Sequence, residues 1–145
     1  MTYLELRSLL ESKVATIGGL YYSGTLQEFN NISQNIEEDD VVFLNDTRDH
    51  NNDIVVQLAG NMRTTFFFRF YIIQKYASDL NEYQLDAYYS THSVNANKLI
   101  LSFSDGAGTN YQVLTANAQR AKNITPNLFA GVLLTFSVET RGECS

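Results

Sequence analysis

Residues 64–75 read Thr-Thr-Phe-Phe-Phe-Arg-Phe-Tyr-Ile-Ile-Gln-Lys, and this stretch decides the fold. It contains neither Gly nor Pro and consists mostly of aromatic and β-branched residues, a composition that favours a strand. Read with a period of two, one face carries Phe66, Phe68, Phe70 and Ile72 without a polar interruption. The sequence therefore predicts a long, central strand whose apolar face packs into the core.

The opposite face of this strand mixes apolar with charged side chains, since Arg69 and Lys75 share it with three apolar residues. The last predicted strand, over residues 128–139, has a face of the same mixed character. An apolar stripe with embedded charge is typical of a surface that another molecule covers. We therefore predict an interface made of residues from both strands: Phe67, Arg69, Tyr71, Ile73, Phe129 and Leu133. Arg69 would need an acidic partner there, such as Glu139 or a member of the acidic run at 37–40.

Two capping boxes predict the helices before this strand. Thr2 and Glu5 open an amphipathic helix that Gly18 and Gly19 end, and Thr25 with Glu28 opens a short helix to about residue 35. Short strands are predicted at 41–44 and 54–59, the second turning into the long strand at Gly60-Asn61.

A long helix is predicted after the central strand, from a capping box at Asp79 and Glu82 to about residue 103. Its end, residues 98–103, could equally be a strand, because short apolar runs do not distinguish the two by period. Two strands follow, at 112–121 and 128–139. The predicted buried stripe of this helix consists of Leu80, Tyr83, Ala87, Val94 and Leu101.

This order of elements predicts an α+β fold. The sheet is antiparallel or mixed, the helices pack on one face, and the chain contributes an N-terminal helix and one long central helix. A length of 145 residues fits a single domain over residues 1–145.

The charge balance excludes some classes of partner. The formal net charge is −6, which disfavours non-specific binding to duplex nucleic acid because such binding rests on clustered Lys and Arg. No apolar run is long enough for a transmembrane helix, and the first residues lack the pattern of a signal peptide. The single cysteine, Cys144, cannot form an internal disulfide, so we expect a chain made in the cytoplasm.

Candidate chemistry concentrates in the polar loop between the two short strands, where Asp46, Asp49, His50 and Asp53 could surround a cation. Their spacing is not that of a calcium loop, and a solvated connection is the simpler interpretation. His92 has no nucleophile near it in sequence, and Gly106-Ala-Gly108 lacks the Lys of a phosphate loop. We predict no catalytic residue, no metal and no cofactor.

The order of elements, together with residues 22–29, 41–44 and 128–136, resembles the tail-terminator and tail-completion proteins of tailed bacteriophages. The last of these stretches reads Leu-Phe-Ala-Gly-Val-Leu-Leu-Thr-Phe. The resemblance implies a structural virion protein of the head–tail junction, not an enzyme, which forms a ring, commonly a hexamer. Its partners would be further copies of itself, the connector proteins on the portal side and the tail-tube protein. Genomic DNA would pass through the ring without sequence-specific binding.

Two other classes of function stay open at the level of sequence. One is a small-molecule-binding or enzymatic α+β domain, whose apolar pocket would use polar groups such as Tyr71, Tyr88 and His92. The other is a monomeric inhibitor or immunity-type protein that binds its partner through an acidic surface. The mass of the protein in solution separates a ring from both.

Overall fold

The predicted central strand pairs with three other strands in a mixed sheet. The computed structural model describes residues 2–47, 54–57, 63–77, 79–105, 110–122 and 128–141. In chain order the elements are α1 (Tyr3–Ile17), β1 (Leu20–Gly24), α2 (Leu26–Ile32), a 3-10 helix (Ser33–Asn35), β2 (Val41–Asp46), β3 (Ile54–Gln57), β4 (Arg63–Lys75), α3 (Glu82–Asp105), β5 (Tyr111–Lys122) and β6 (Phe129–Arg141). The α+β prediction, with its N-terminal helix and long helix, is confirmed.

Five strands lie side by side in the order β1-β2-β4-β6-β5, and β3 pairs with the start of β4. Strand β1 runs parallel to β2, whereas every other pairing is antiparallel. Because β2 pairs with residues 70–74 of β4 and β3 pairs with residues 63–66, both lie along the same side of β4. Strands β1 and β5 are the two outer edges of the five-stranded path.

The first face of the sheet forms the main core with α1 and α3. Phe68 of β4 stacks on Phe136 of β6 with ring centroids 5.3 Å apart, and Phe103 of α3 approaches Phe136 edge-on at 6.2 Å. The predicted face of β4 is buried throughout, as is the matching face of β6 from Val132 to Val138. The period-two prediction for both strands is confirmed.

Both early capping boxes form as predicted. The Glu5 amide donates to the Thr2 hydroxyl and the Glu28 amide to the Thr25 hydroxyl, each at 3.2 Å. Helix α1 ends at Gly18, whose φ of 94° lies in the left-handed region that favours glycine.

The phase predicted for α3 is wrong. Its cap is reciprocal between Asn81 and Gln84, two residues later than expected, with both hydrogen bonds at 2.9 Å. Tyr83, Val94 and Leu101 of the predicted stripe are exposed. The stripe that packs on the sheet instead consists of Leu85, Tyr89, His92, Ala96, Leu99 and Phe103. Apolar character misidentified the face because the true one includes a histidine and an alanine. Residues 98–103 are helical.

The helices do not all pack on one face, contrary to that part of the prediction. Helix α2 and the 3-10 helix that follows it lie on the second face, where Phe29 and Ile36 join a cluster with residues of β2, β4 and β6. In the described part of the chain, no helix is both long and apolar enough to cross a membrane. Asp49, His50, Asp53, Gly60-Asn61, Gly106–Gly108 and Cys144, which figured in the sequence predictions, lie outside the described residues.

Candidate functional site

The second face of the sheet, where the interface was predicted, is divided into a covered and an open part. Phe29 of α2 meets Phe129 edge-on at 5.3 Å, and the same cluster contains Tyr71, Ile73 and Leu133. Their exposed fractions are 8% for Tyr71, 7% for Leu133 and 0% for Ile73 and Phe129. The expectation that these four side chains form an uncovered surface is therefore wrong, because α2 of the same chain covers them.

Phe67 and Arg69 occupy the open part of that face. Phe67 is 44% exposed and lies opposite Ser137 of β6, while Arg69 lies opposite Thr135 and is partly exposed. Around them the face is polar: the hydroxyls of Thr115 and Ser137 are hydrogen-bonded across the strands at 2.8 Å. Two of the six predicted interface residues are thus accessible to a partner.

Arg69 has a different acidic neighbour from the ones predicted. Its Nε lies 3.9 Å from Oδ2 of Asp46, whose side chain is fully buried at the end of β2. Glu139, the expected partner, instead pairs with Arg63 at 3.5 Å. Nε of Arg69 is buried without a hydrogen-bond partner among the described residues, so the contact with Asp46 is electrostatic and its geometry is loose. The pair ties β4 to the end of β2.

The end of β2 also holds a buried amide. Asn45 is 2% exposed, and its Nδ2 donates to the hydroxyl oxygen of Tyr21 at 3.0 Å. Burial raises the pKa of the Tyr21 phenol, and the bond to Asn45 opposes that rise. Among the described residues, no group of three His, Cys, Asp or Glu side chains could hold a metal ion. Asp46 is the one described member of the predicted cation cluster.

His92 is a buried structural residue rather than one at the core edge. It is 0% exposed, and its two ring nitrogens lie 3.2 Å from the side chains of Gln74 and Asn95. Gln74 in turn donates to the backbone oxygen of Glu38 at 2.8 Å. Burial lowers the pKa of His92 to about 4, so the imidazole is neutral at pH 7. This chain of contacts connects α3, β4 and the segment before β2.

The polar groups of the alternative pocket do not converge. Tyr71 belongs to the cluster on the second face, whereas His92 belongs to α3 on the first. Tyr88 packs in a separate cluster beside Tyr76, with ring centroids 6.3 Å apart. A pocket built on these three residues is therefore not formed.

Sequence reasoning missed the surface that the structure leaves most open, which is strand β5. Among the described strands it pairs with β6 alone, and every residue from Leu114 to Arg120 is exposed. A β-bulge shifts its register between Val113 and Thr115. The signal in the sequence is the run Thr-Ala-Asn-Ala-Gln at 115–119, which is strand-forming in context but has no large apolar residue on either face.

A groove of about 630 Å³ separates β5 from α3 on the first face. The Arg120 guanidinium lies 5.2 Å from the ring centroid of Tyr89 and 3.6 Å from the Asp86 carboxylate. Lys122 pairs with Glu82 one turn away. Burial raises the pKa of the Tyr89 phenol. The groove can take up side chains of a molecule that docks along β5.

No protein-family model matches the sequence, and no curated protein matches it either.

Proposed function

We propose that this chain is a structural subunit that assembles into a closed ring, and that the ring serves as a tail terminator at the head–tail junction of a tailed bacteriophage. The observation that carries the proposal is strand β5, a 12-residue edge whose side chains are almost all exposed. Open strand edges of this length invite pairing with another chain, and stable monomers usually protect them. A neighbouring subunit would protect this one.

We assign the chain to the head–tail junction because its order of elements resembles that of tail-terminator proteins. The partners are then further copies of the chain, six to a ring, the connector above and the tail tube below. The net charge of −6 agrees with a channel through which DNA slides without adhering. The proposed subunit is not an enzyme, and it binds no cofactor.

Of the six residues predicted to form an interface on the second face, Phe67 and Arg69 remain accessible to a partner. These two side chains lie on the open half of the sheet, level with residues Thr135 to Ser137 of β6. We assign them to contact with a partner rather than to the core. An exposed aromatic ring beside a guanidinium is a common composition at the centre of protein interfaces.

A stop codon in the corresponding phage gene tests the place in the virion. We expect filled heads and separate tails in electron micrographs, and joined particles when the intact chain is supplied from a plasmid. Normal, infectious particles that lack the chain would contradict the proposal. Particles that contain it only at the distal end of the tail would contradict the assignment to the neck.

A further inference from the structure

Strand β5 has limited protection for an open edge, namely a β-bulge near its start and two basic residues at its end. No residue from 111 to 119 is charged, and no proline interrupts the strand. The opposite edge of the sheet, β1, is also neutral from Leu20 to Gly24. Natural edges are normally short, charged or covered, and β1 is short, but the uncharged part of β5 is long enough to invite pairing with another chain.

The directions of the two edges are compatible with each other. Strand β1 runs with β2, and the alternation from β2 through β4 and β6 makes β5 run opposite to β1. When copies are placed side by side in the same orientation, β5 of one copy therefore meets β1 of the next as an antiparallel pair. Antiparallel pairing is slightly more stable per residue than parallel pairing.

The register across the sheet predicts which residues of β1 and β5 would lie opposite each other. Leu20 is level with Val42, Ile73, Gly131 and finally Ala121 in successive strands. By the same route through residues 45, 70 and 134, Ser23 is level with Ala118. Without any shift along the strands, β1 thus faces the end of β5 near Ala118 to Ala121. Of these four residues of β5, Ala118 and Ala121 have small side chains.

Opposite charges lie at this same end of the sheet. Arg120 and Lys122 are exposed on β5, where they also pair with Asp86 and Glu82 of the same chain. Lys122 is level with Val41 through Gln74 and Ala130. Val41 directly follows the acidic run Glu37-Glu38-Asp39-Asp40, whose first three residues are exposed. In the arrangement above, the run of the next copy lies two strand spacings from β5, about 10 Å. This separation is about one Debye length at 0.1 M salt, so unlike charges attract weakly and favour this register over a shifted one.

We propose that a second copy of this chain covers β5, by adding its β1 to β5 as an antiparallel strand with Arg120 and Lys122 facing its acidic run. This contact rests on the ring function proposed above and forms the edge-to-edge part of the ring interface, separate from Phe67 and Arg69 on the second face. It is head-to-tail, so it propagates from copy to copy and closes when the rotation is right. A two-fold contact between two β5 strands would place no acidic residue of β5 near the basic pair, and it would stop at a dimer.

Charge reversal tests the contact with variants that change exposed residues. One variant carries Arg120→Glu and Lys122→Glu, and the other carries Glu37→Lys and Glu38→Lys. We expect each alone to raise the concentration needed for rings about tenfold, because the first variant brings like charges together and the second removes the net charge of the acidic run. Mixed in equal amounts, the two variants should form rings again, with alternating subunits. Native mass spectrometry measures the masses, and the melting temperature of each variant shows that it is folded.

The matched control reverses Lys13→Glu and Lys98→Glu, two basic residues that line the groove between α1 and α3. It should form rings like the wild type. Rings that survive either reversal overturn the β5–β1 contact but leave the ring function standing. Two monomeric variants whose mixture stays monomeric also overturn the contact. A wild-type chain that forms no ring overturns both, and a dimer of the Glu37→Lys, Glu38→Lys variant would identify a two-fold β5 contact instead.

Discussion

Phe29 of α2 meets Phe129 of β6 edge-on across the second face of the sheet, with ring centroids 5.3 Å apart. The contact explains why a face that looks half-exposed in sequence is closed over part of its area. The helix that supplies Phe29 is short, and its one fully buried side chain anchors it to the sheet. The cluster around this pair is therefore a second core rather than an interface.

Removal of this anchor should destabilise the fold. Phe29→Ala removes a buried ring and leaves a cavity, so we expect the free energy of unfolding to fall by about 3–5 kcal/mol. Urea denaturation followed by circular dichroism measures it. Phe67→Ala is the matched control, because that ring is 44% exposed and its loss should cost less than about 1 kcal/mol. Equal costs for the two variants would mean that α2 does not cover the second face.

Phe67 should matter for assembly rather than for folding. Phe67→Ser is expected to keep the melting temperature of the subunit while weakening ring formation, since its ring lies on the open half of the second face. Tyr71→Ser cannot test assembly in the same way, because Tyr71 is buried and its loss would destabilise the core. Analytical ultracentrifugation measures the assembly. Unchanged assembly would remove Phe67 from the interface.

Much of this architecture could be predicted from the sequence. The period of two in β4 and β6 and the capping boxes of α1 and α2 are local signals, and each was sufficient. The apolar pattern did not predict the buried face of α3, because His92 and Ala96 pack inward while Tyr83 and Leu101 point to solvent. Which face of α3 is buried depends on which side chains fit against the sheet. The placement of α2 over Phe129 and the exposure of β5 depend on tertiary contacts, which the pattern of one segment does not contain.

His92 should make stability depend on pH. Its pKa is about 4 in the folded protein against about 6.5 in an unfolded chain, so the unfolded state binds the proton more readily between these values. The stabilising effect is complete above pH 6.5 and is lost as the pH falls towards 4, by at most about 3 kcal/mol. Urea titrations at pH 5 and pH 7.5 measure the difference. In His92→Gln this part of the slope should disappear, and an unchanged slope would assign it to other groups.

Gly131 is required by the close approach of β4. A Cβ at this position would overlap the backbone oxygen of Ile72, and neither strand can move away because each pairs along its full length. We expect Gly131→Ala to cost about 1–3 kcal/mol, as for other overpacked sites. Gly18→Ala makes a useful comparison, since no atom lies near its Cβ position and its cost would come from the positive φ alone. If Gly131→Ala left the free energy of unfolding unchanged, β4 and β6 would lie further apart at this position than in the structure.

The mass of the wild-type chain in solution tests the central claim most directly. Native mass spectrometry at micromolar concentration should show a closed ring, and a hexamer of 16.4 kDa subunits would have a mass of about 98 kDa (6 × 16.4). The ring should persist on dilution more readily in low salt than in high salt, because unlike charges face each other at the proposed contact. A chain that remains monomeric up to tens of micromolar would contradict the account.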